Sequence, residues 1–145
     1  MCRSARSDLW TYAFLAQIHG DRPAYEQTVA EATAAADATN DVSARAYTLL
    51  VRGYDALIGN RMPEAATLFE ESAALHRGEG DLGGQLWAQY NYGMSTALAG
   101  ELGRGRDVLH HCVDELAARG KNPLAVVALD LSGEPARPLH VPAAQ

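Results

Sequence analysis

Gly53-Tyr54-Asp55-Ala56-Leu57-Ile58-Gly59-Asn60-Arg61-Met62-Pro63-Glu64-Ala65-Ala66-Thr67-Leu68-Phe69 decides the fold, because its pattern returns forty residues away in both directions. Asn60 aligns with Gly20 and Gly100, and each opens a short turn: Asp21-Arg22-Pro23, Arg61-Met62-Pro63 and Glu101-Leu102-Gly103. Before the turns Gly53 aligns with Ala13 and Gly93, Ala56 with Ala16 and Thr96, and Ile58 with Ile18 and Leu98. After them Ala65 aligns with Tyr25 and Gly105, Phe69 with Val29 and Leu109, and Ser72 with Ala32 and Cys112. Spacings of four and three mark a helical stripe, and small residues recur where two helices would touch most closely.

Working outward, Asn40-Asp41, Gly80-Asp81 and Gly120-Lys121 fall one period apart, supplying helix-stopping Gly or Asn and, twice, an Asp able to cap the next helix. Helices are expected near 7–19, 23–38, 42–59, 63–77, 82–99 and 104–119, with a short one at 123–131 opened by Asn122-Pro123. Sparse β-branched residues and no sustained alternation leave no strand signal. The fold expected is all-α: an α-solenoid of three antiparallel helical hairpins over 5–131, with repeats at about 5–44, 45–84 and 85–124 and a partial capping helix at 122–131. Residues 132–145, with Pro135, Pro138 and Pro142, read as a flexible tail.

The chain of 145 residues is 48% hydrophobic, enough for one ordinary core without staples. Cys2 and Cys112 lie too far apart in sequence to suggest a disulfide framework, and point to a reducing compartment, the cytoplasm by default. No secretory leader and no run of about 18 apolar residues is present, which disfavours export and membrane spanning. Twelve basic against 18 acidic residues give a net charge of −6 without a Lys/Arg run, so no direct nucleic-acid contact is expected.

A small residue in the first helix, Gly or Asn at the turn, a small residue early in the second helix and a large apolar one four later resemble the tetratricopeptide repeat. Gly93, Gly100, Leu102, Gly105 and Leu109 carry the likeness in the third unit, and Gly53, Met62, Ala65 and Phe69 in the second. The first unit departs from it, with Ala13 for the small Gly and Tyr25 at a usually small position. Forty residues exceed the family's usual thirty-four or so, as in its longer variants. The stretch from Ala65 to Asp81, followed by Trp87-Ala88-Gln89-Tyr90-Asn91-Tyr92-Gly93, is similar to the helical-repeat region of large bacterial regulators of the LuxR type, which join an ATPase module, such repeats and a DNA-binding helix-turn-helix. Against them, this sequence has neither a phosphate-binding loop nor a basic recognition helix, so the resemblance implies a fragment or a stand-alone relative.

Gly78-Glu79-Gly80-Asp81-Leu82-Gly83 matches Gly-x-Gly-x-x-Gly, but a dinucleotide fingerprint needs a preceding strand, and a helix ends at about Arg77, so it reads as an inter-repeat loop with no cofactor. His110, His111 and Cys112 are the densest group of metal-ligand types. Neighbours on a helix point about 100° apart, however, so they read as a core thiol with solvated imidazoles and no metal site. His19 and His76 fall at helix C-termini, where the helix dipole favours an imidazole. With no hydrolase elbow and no His-Glu-x-x-His run, no catalytic residue is assigned and no enzyme is expected.

The first helices of the hairpins carry Trp10, Phe14, Tyr47, Tyr54, Trp87, Tyr90, Asn91 and Met94 at equivalent places, on the surface that lines the concave groove of tetratricopeptide stacks. Aromatic side chains with polar tips suit binding surfaces. The resemblance implies that Asn91 would hold the backbone of an extended peptide, although Thr11 and Val51 replace it in the other units. Two readings of the stripe stand open: a groove, or core covered by the superhelical curve or the tail. The function expected is a protein-interaction or ligand-sensing module, part of or derived from a bacterial transcriptional regulator. Its partner would be a protein, a peptide or a neighbouring domain. The alternative is a structural spacer that dimerises through exposed end faces.

Overall fold

The computed structural model describes residues 3–120, with side chains from residue 9 onward. The expected helix at 123–131 and the tail at 132–145 therefore lie outside the described residues. Six helices follow one another: α1 (Arg3–Ile18), α2 (Arg22–Thr39), α3 (Val42–Ile58), α4 (Met62–Gly78), α5 (Leu82–Leu98) and α6 (Leu102–Ala118). There is no strand among the described residues. Five of these spans fall within about two residues of the sequence expectation, the ordinary uncertainty of helix ends. The exception is α1, which begins at Arg3 rather than residue 7, because Arg3-Ser4-Ala5-Arg6 contains nothing that stops a helix.

All six helices end in one kind of turn. Gly20, Asn40, Asn60, Gly80, Gly100 and Gly120 adopt positive φ at intervals of twenty residues, so the forty-residue period is two copies of a shorter one. Gly adopts this conformation freely and Asn tolerates it best among side-chain-bearing residues. The residue after it then closes the turn onto a carbonyl five back: Asp21 to Ala16, Asp41 to Ala36, Arg61 to Ala56, Asp81 to His76 and Glu101 to Thr96, at 2.8–3.1 Å. Asp21, Asp41 and Asp81 also start the next helix, accepting from the backbone N–H of Ala24, Ala44 and Gly84 at 3.1, 3.0 and 2.9 Å. One tetrad thus stops one helix and caps the next.

The core sits between α3, α4 and α5, where Leu50, Ala56, Ala65, Phe69, Trp87 and Ala88 are buried together. Small residues allow this approach: a Cβ on Gly53 would stand 2.7 Å from the Phe69 ring, and one on Gly105 would stand 2.6 Å from the Gly93 carbonyl oxygen. At the turn end, Asp55 of α3 is bracketed by Arg22 and, at 2.9 Å, Arg61, which ties the first helix pair to the second. Burial and the nearby Asp55 carboxylate push the Tyr25 hydroxyl up to about 12. Ile18, Ile58 and Leu98 keep their register but point outward, at 59%, 67% and 58% exposure, because each is the last residue of its helix.

Candidate functional site

Trp10 and Phe14 share a face of α1, four residues apart, and both reach across to the third pair: their ring centroids lie 6.4 and 6.5 Å from Trp87. Between them stand the rings of α3. Trp10 stacks on Tyr47 at 4.8 Å, Phe14 meets Tyr54 edge-on at 5.3 Å, and Tyr54 meets both Trp87 at 5.9 Å and Phe69 at 5.4 Å. The Trp87 indole Nε1 donates to the Tyr54 hydroxyl at 2.7 Å, so this buried ring has its polar edge satisfied from within the seam.

Of the eight residues singled out in the sequence, five form this continuous seam: Trp10, Phe14, Tyr47, Tyr54 and Trp87. Trp87 is buried, while the other four are half-buried. Met94 is half-buried further along α5. Tyr90 stands out at 41% exposure. Asn91 is buried, and its Nδ2 donates to the Trp87 carbonyl one turn back at 2.9 Å, so its amide nitrogen is engaged by its own helix. Tyr90 and the edges of the half-buried rings are therefore the parts of these side chains open to solvent.

A polar strut beneath the seam was not legible in sequence. The Tyr47 hydroxyl donates to Asp81 Oδ2 at 2.9 Å, and Nδ1 of the fully buried His76 lies 3.0 Å from the same oxygen. The His76 contact, the Gly84 N–H and the Tyr47 hydroxyl hold the Asp81 carboxyl well below the usual carboxylate range, against the effect of burial. Gly84 is required here, since a Cβ would collide with His76 Nδ1. His76 lies in the last turn of α4, as the sequence places it, and its imidazole faces a carboxylate inside the core, because the next turn folds Asp81 back over it. The imidazole is fully buried and the three groups join α3, α4 and the start of α5, so the strut positions these helices.

The remaining chemistry-bearing residues are dispersed. His110 and His111 are exposed on α6, while Cys112 is buried and its thiol is pushed up to about 11, chiefly by burial. Among the described residues no group of three or more His, Cys, Asp or Glu side chains is placed to hold a metal. The stretch Gly78–Gly83 forms the end of α4, a left-handed turn at Gly80 and the capped start of α5.

No protein-family model, curated protein or solved structure matches the chain. Among the described residues no helix is long and apolar enough to cross a membrane.

A second concavity, of about 500 Å³, lies between α4 and α6 over the back of α5, lined by Ala73, Arg77, Gln89, Tyr92, Val108 and His111 among others. Its floor buries the Gln89 Oε1 without a hydrogen-bond partner, at the place where the second unit has Leu49. That polar-for-apolar exchange within the repeat is the signal by which sequence comparison would have found it.

Proposed function

We propose that the chain is an interaction module: a tetratricopeptide-like solenoid of three helical hairpins that holds a protein or peptide against the face shared by α1, α3 and α5. It would act within, or descend from, a cytoplasmic bacterial regulator of the LuxR type, binding rather than catalysing. The observation that carries this is the seam of rings drawn from three different helices, four of them left half-covered beside the exposed Tyr90. Large rings that are already ordered present area to a partner at little further entropic cost. The resemblance of the repeat supports the same reading, and the net charge of −6 favours a partner without strong acidic character.

The test separates binding from folding. Tyr54 supports Trp87 and would disturb the core if removed, so Tyr90 is the position to change. A peptide selected from a displayed random library on the full chain should bind Tyr90→Ala at least roughly tenfold more weakly, with helicity unchanged. Equal Kd values for both proteins would exclude the aromatic face. A structural spacer or oligomerisation element is the second reading, favoured by the flank of α6 that no described helix covers.

A further inference from the structure

The concavity between α4 and α6 lies where the third hairpin is less well filled than the second. In the second unit Leu68 is buried in the core cluster and Leu49 packs against that cluster. Their equivalents one period on are Val108 and Gln89, so one apolar side chain loses a methylene and the other becomes an amide. About 500 Å³ is left open over α5, a volume within the range that small-ligand sites occupy.

Its hydrogen-bond acceptors gather at one end. A Cβ on Gly84 would meet His76, four residues to either side of Gly80, so α4 and α5 run back along each other. Gln89, nine residues past Gly80, therefore comes level with Glu70 and Glu71. A Cβ on Gly93 would stand 3.1 Å from Val108, which by the same reasoning sets Gln89 level with His111 of α6, with Asp107 one turn along. Glu70, Asp107 and His111 all line the concavity, and the Gln89 Oε1 is buried in its floor without a hydrogen-bond partner. Among the described residues Glu70 has no ion pair, and Asp107 meets only the exposed Arg106, at 3.8 Å. Arg77, the one lining residue with a permanent positive charge, stands two turns from Glu70, on the order of 10 Å along α4.

We propose that this concavity binds a small organic cation, a protonated amine carried on a flat apolar body. The body lies between Ala73, Tyr92 and Val108, and the ammonium group lies between the carboxylates of Glu70 and Asp107. One of its N–H groups donates to the Gln89 Oε1, which the broad torsion of the terminal amide lets turn toward the opening. A buried acceptor without a partner lowers stability, and a donor brought by the ligand relieves it. The Tyr92 ring already draws a cation, since the Arg104 guanidinium lies over it at 5.8 Å from the centroid. An anion would instead meet two carboxylates and a carbonyl oxygen, with Arg77 two turns away, and the net charge of −6 opposes its approach. The site shares no residue with the aromatic seam and does not rest on the reading of that face.

Tryptamine and its uncharged counterpart tryptophol, which carries a hydroxyl in place of the ammonium, test this on the full chain by titration followed in amide NMR spectra. Tryptamine should bind saturably with a Kd at or below about 1 mM, shifting the amides of Gln89, Tyr92 and Val108. Tryptophol should bind at least roughly tenfold more weakly. Gln89→Leu introduces the residue that the second unit already carries at this place, so the fold tolerates it, and it should abolish saturable binding. Glu70→Gln should weaken tryptamine at least roughly threefold. Tyr90→Ala should leave it unchanged, which keeps this test separate from that of the aromatic face. Equal binding of the two compounds, saturation that survives Gln89→Leu, shifts centred on Trp87 and Tyr90, or no saturable binding of tryptamine would each overturn the proposal.

Discussion

Asp81 shows how one side chain does several jobs at once. Its carboxylate caps α5 through the Gly84 N–H, receives the Tyr47 hydroxyl from α3 and faces His76 of α4, so three helices meet at two oxygens. These contacts favour the ionised form in the folded protein, holding the carboxyl below its ordinary value of 3.8. A depressed folded value contributes stability that is present above the unfolded value and is lost as pH falls toward the folded one. Asp81→Asn keeps a capping oxygen but removes the charge. Near neutrality it should lower the unfolding free energy by about 1 kcal/mol, allowing for the partial solvent exposure of the site. Urea titrations should show the gap between the two proteins narrowing below about pH 4, where the unfolded carboxyl takes up its proton. A gap constant across that range would mean that charge plays no part in the strut.

At the scale of the helix, the sequence carried almost everything local. Asp41 and Asp81 were legible as caps, Pro23 and Pro63 as helix starters, and Gly or Asn as stops, because each acts on backbone within four residues of itself. What escaped were side-chain placements: His76 turned onto Asp81 and Asn91 bonded to its own helix. These depend on rotamers and on how far neighbouring helices splay, which no spacing rule encodes. Two glycines of α6 separate the local from the tertiary effect. Gly103 has nothing within 4 Å of a Cβ, so Gly103→Ala should raise stability by about 0.5 kcal/mol through helix propensity alone. A Cβ on Gly105 would stand 2.6 Å from the Gly93 carbonyl oxygen, part of a backbone that cannot yield without parting α5 from α6. Gly105→Val should therefore cost about 3 kcal/mol. Opposite shifts of Tm are expected by circular dichroism, and equal shifts would show that the α5–α6 contact is looser than drawn.

Among the described residues, helices pack on their chain neighbours, α1 packs on α3 and α3 on α5 across an intervening helix, and the rings of α1 reach Trp87 of α5. Such a nearly linear set of contacts can open from an end without breaking the middle, since each interface contributes separately. The two ends differ in what holds them. Trp10 and Phe14 of α1 reach the central rings of α3 and α5, whereas α6 is held, among the described residues, by α5 alone. The repeat supplies a matched pair of probes for this. Cys112 of α6 and Ser72 of α4 stand at equivalent positions, at 1% and 0% exposure, so neither is accessible without opening. In a Cys2→Ser background, thiol labelling in mild denaturant should modify Cys112 at least roughly tenfold faster than the thiol introduced by Ser72→Cys in a parallel protein. The Ser72 hydroxyl bond to the Ala46 carbonyl at 2.7 Å is lost in the second protein, which lowers its stability and so biases the comparison against the expected order. If the two thiols nonetheless react at one rate, set by global unfolding, the six helices open as a single unit and α6 owes its place to more than α5.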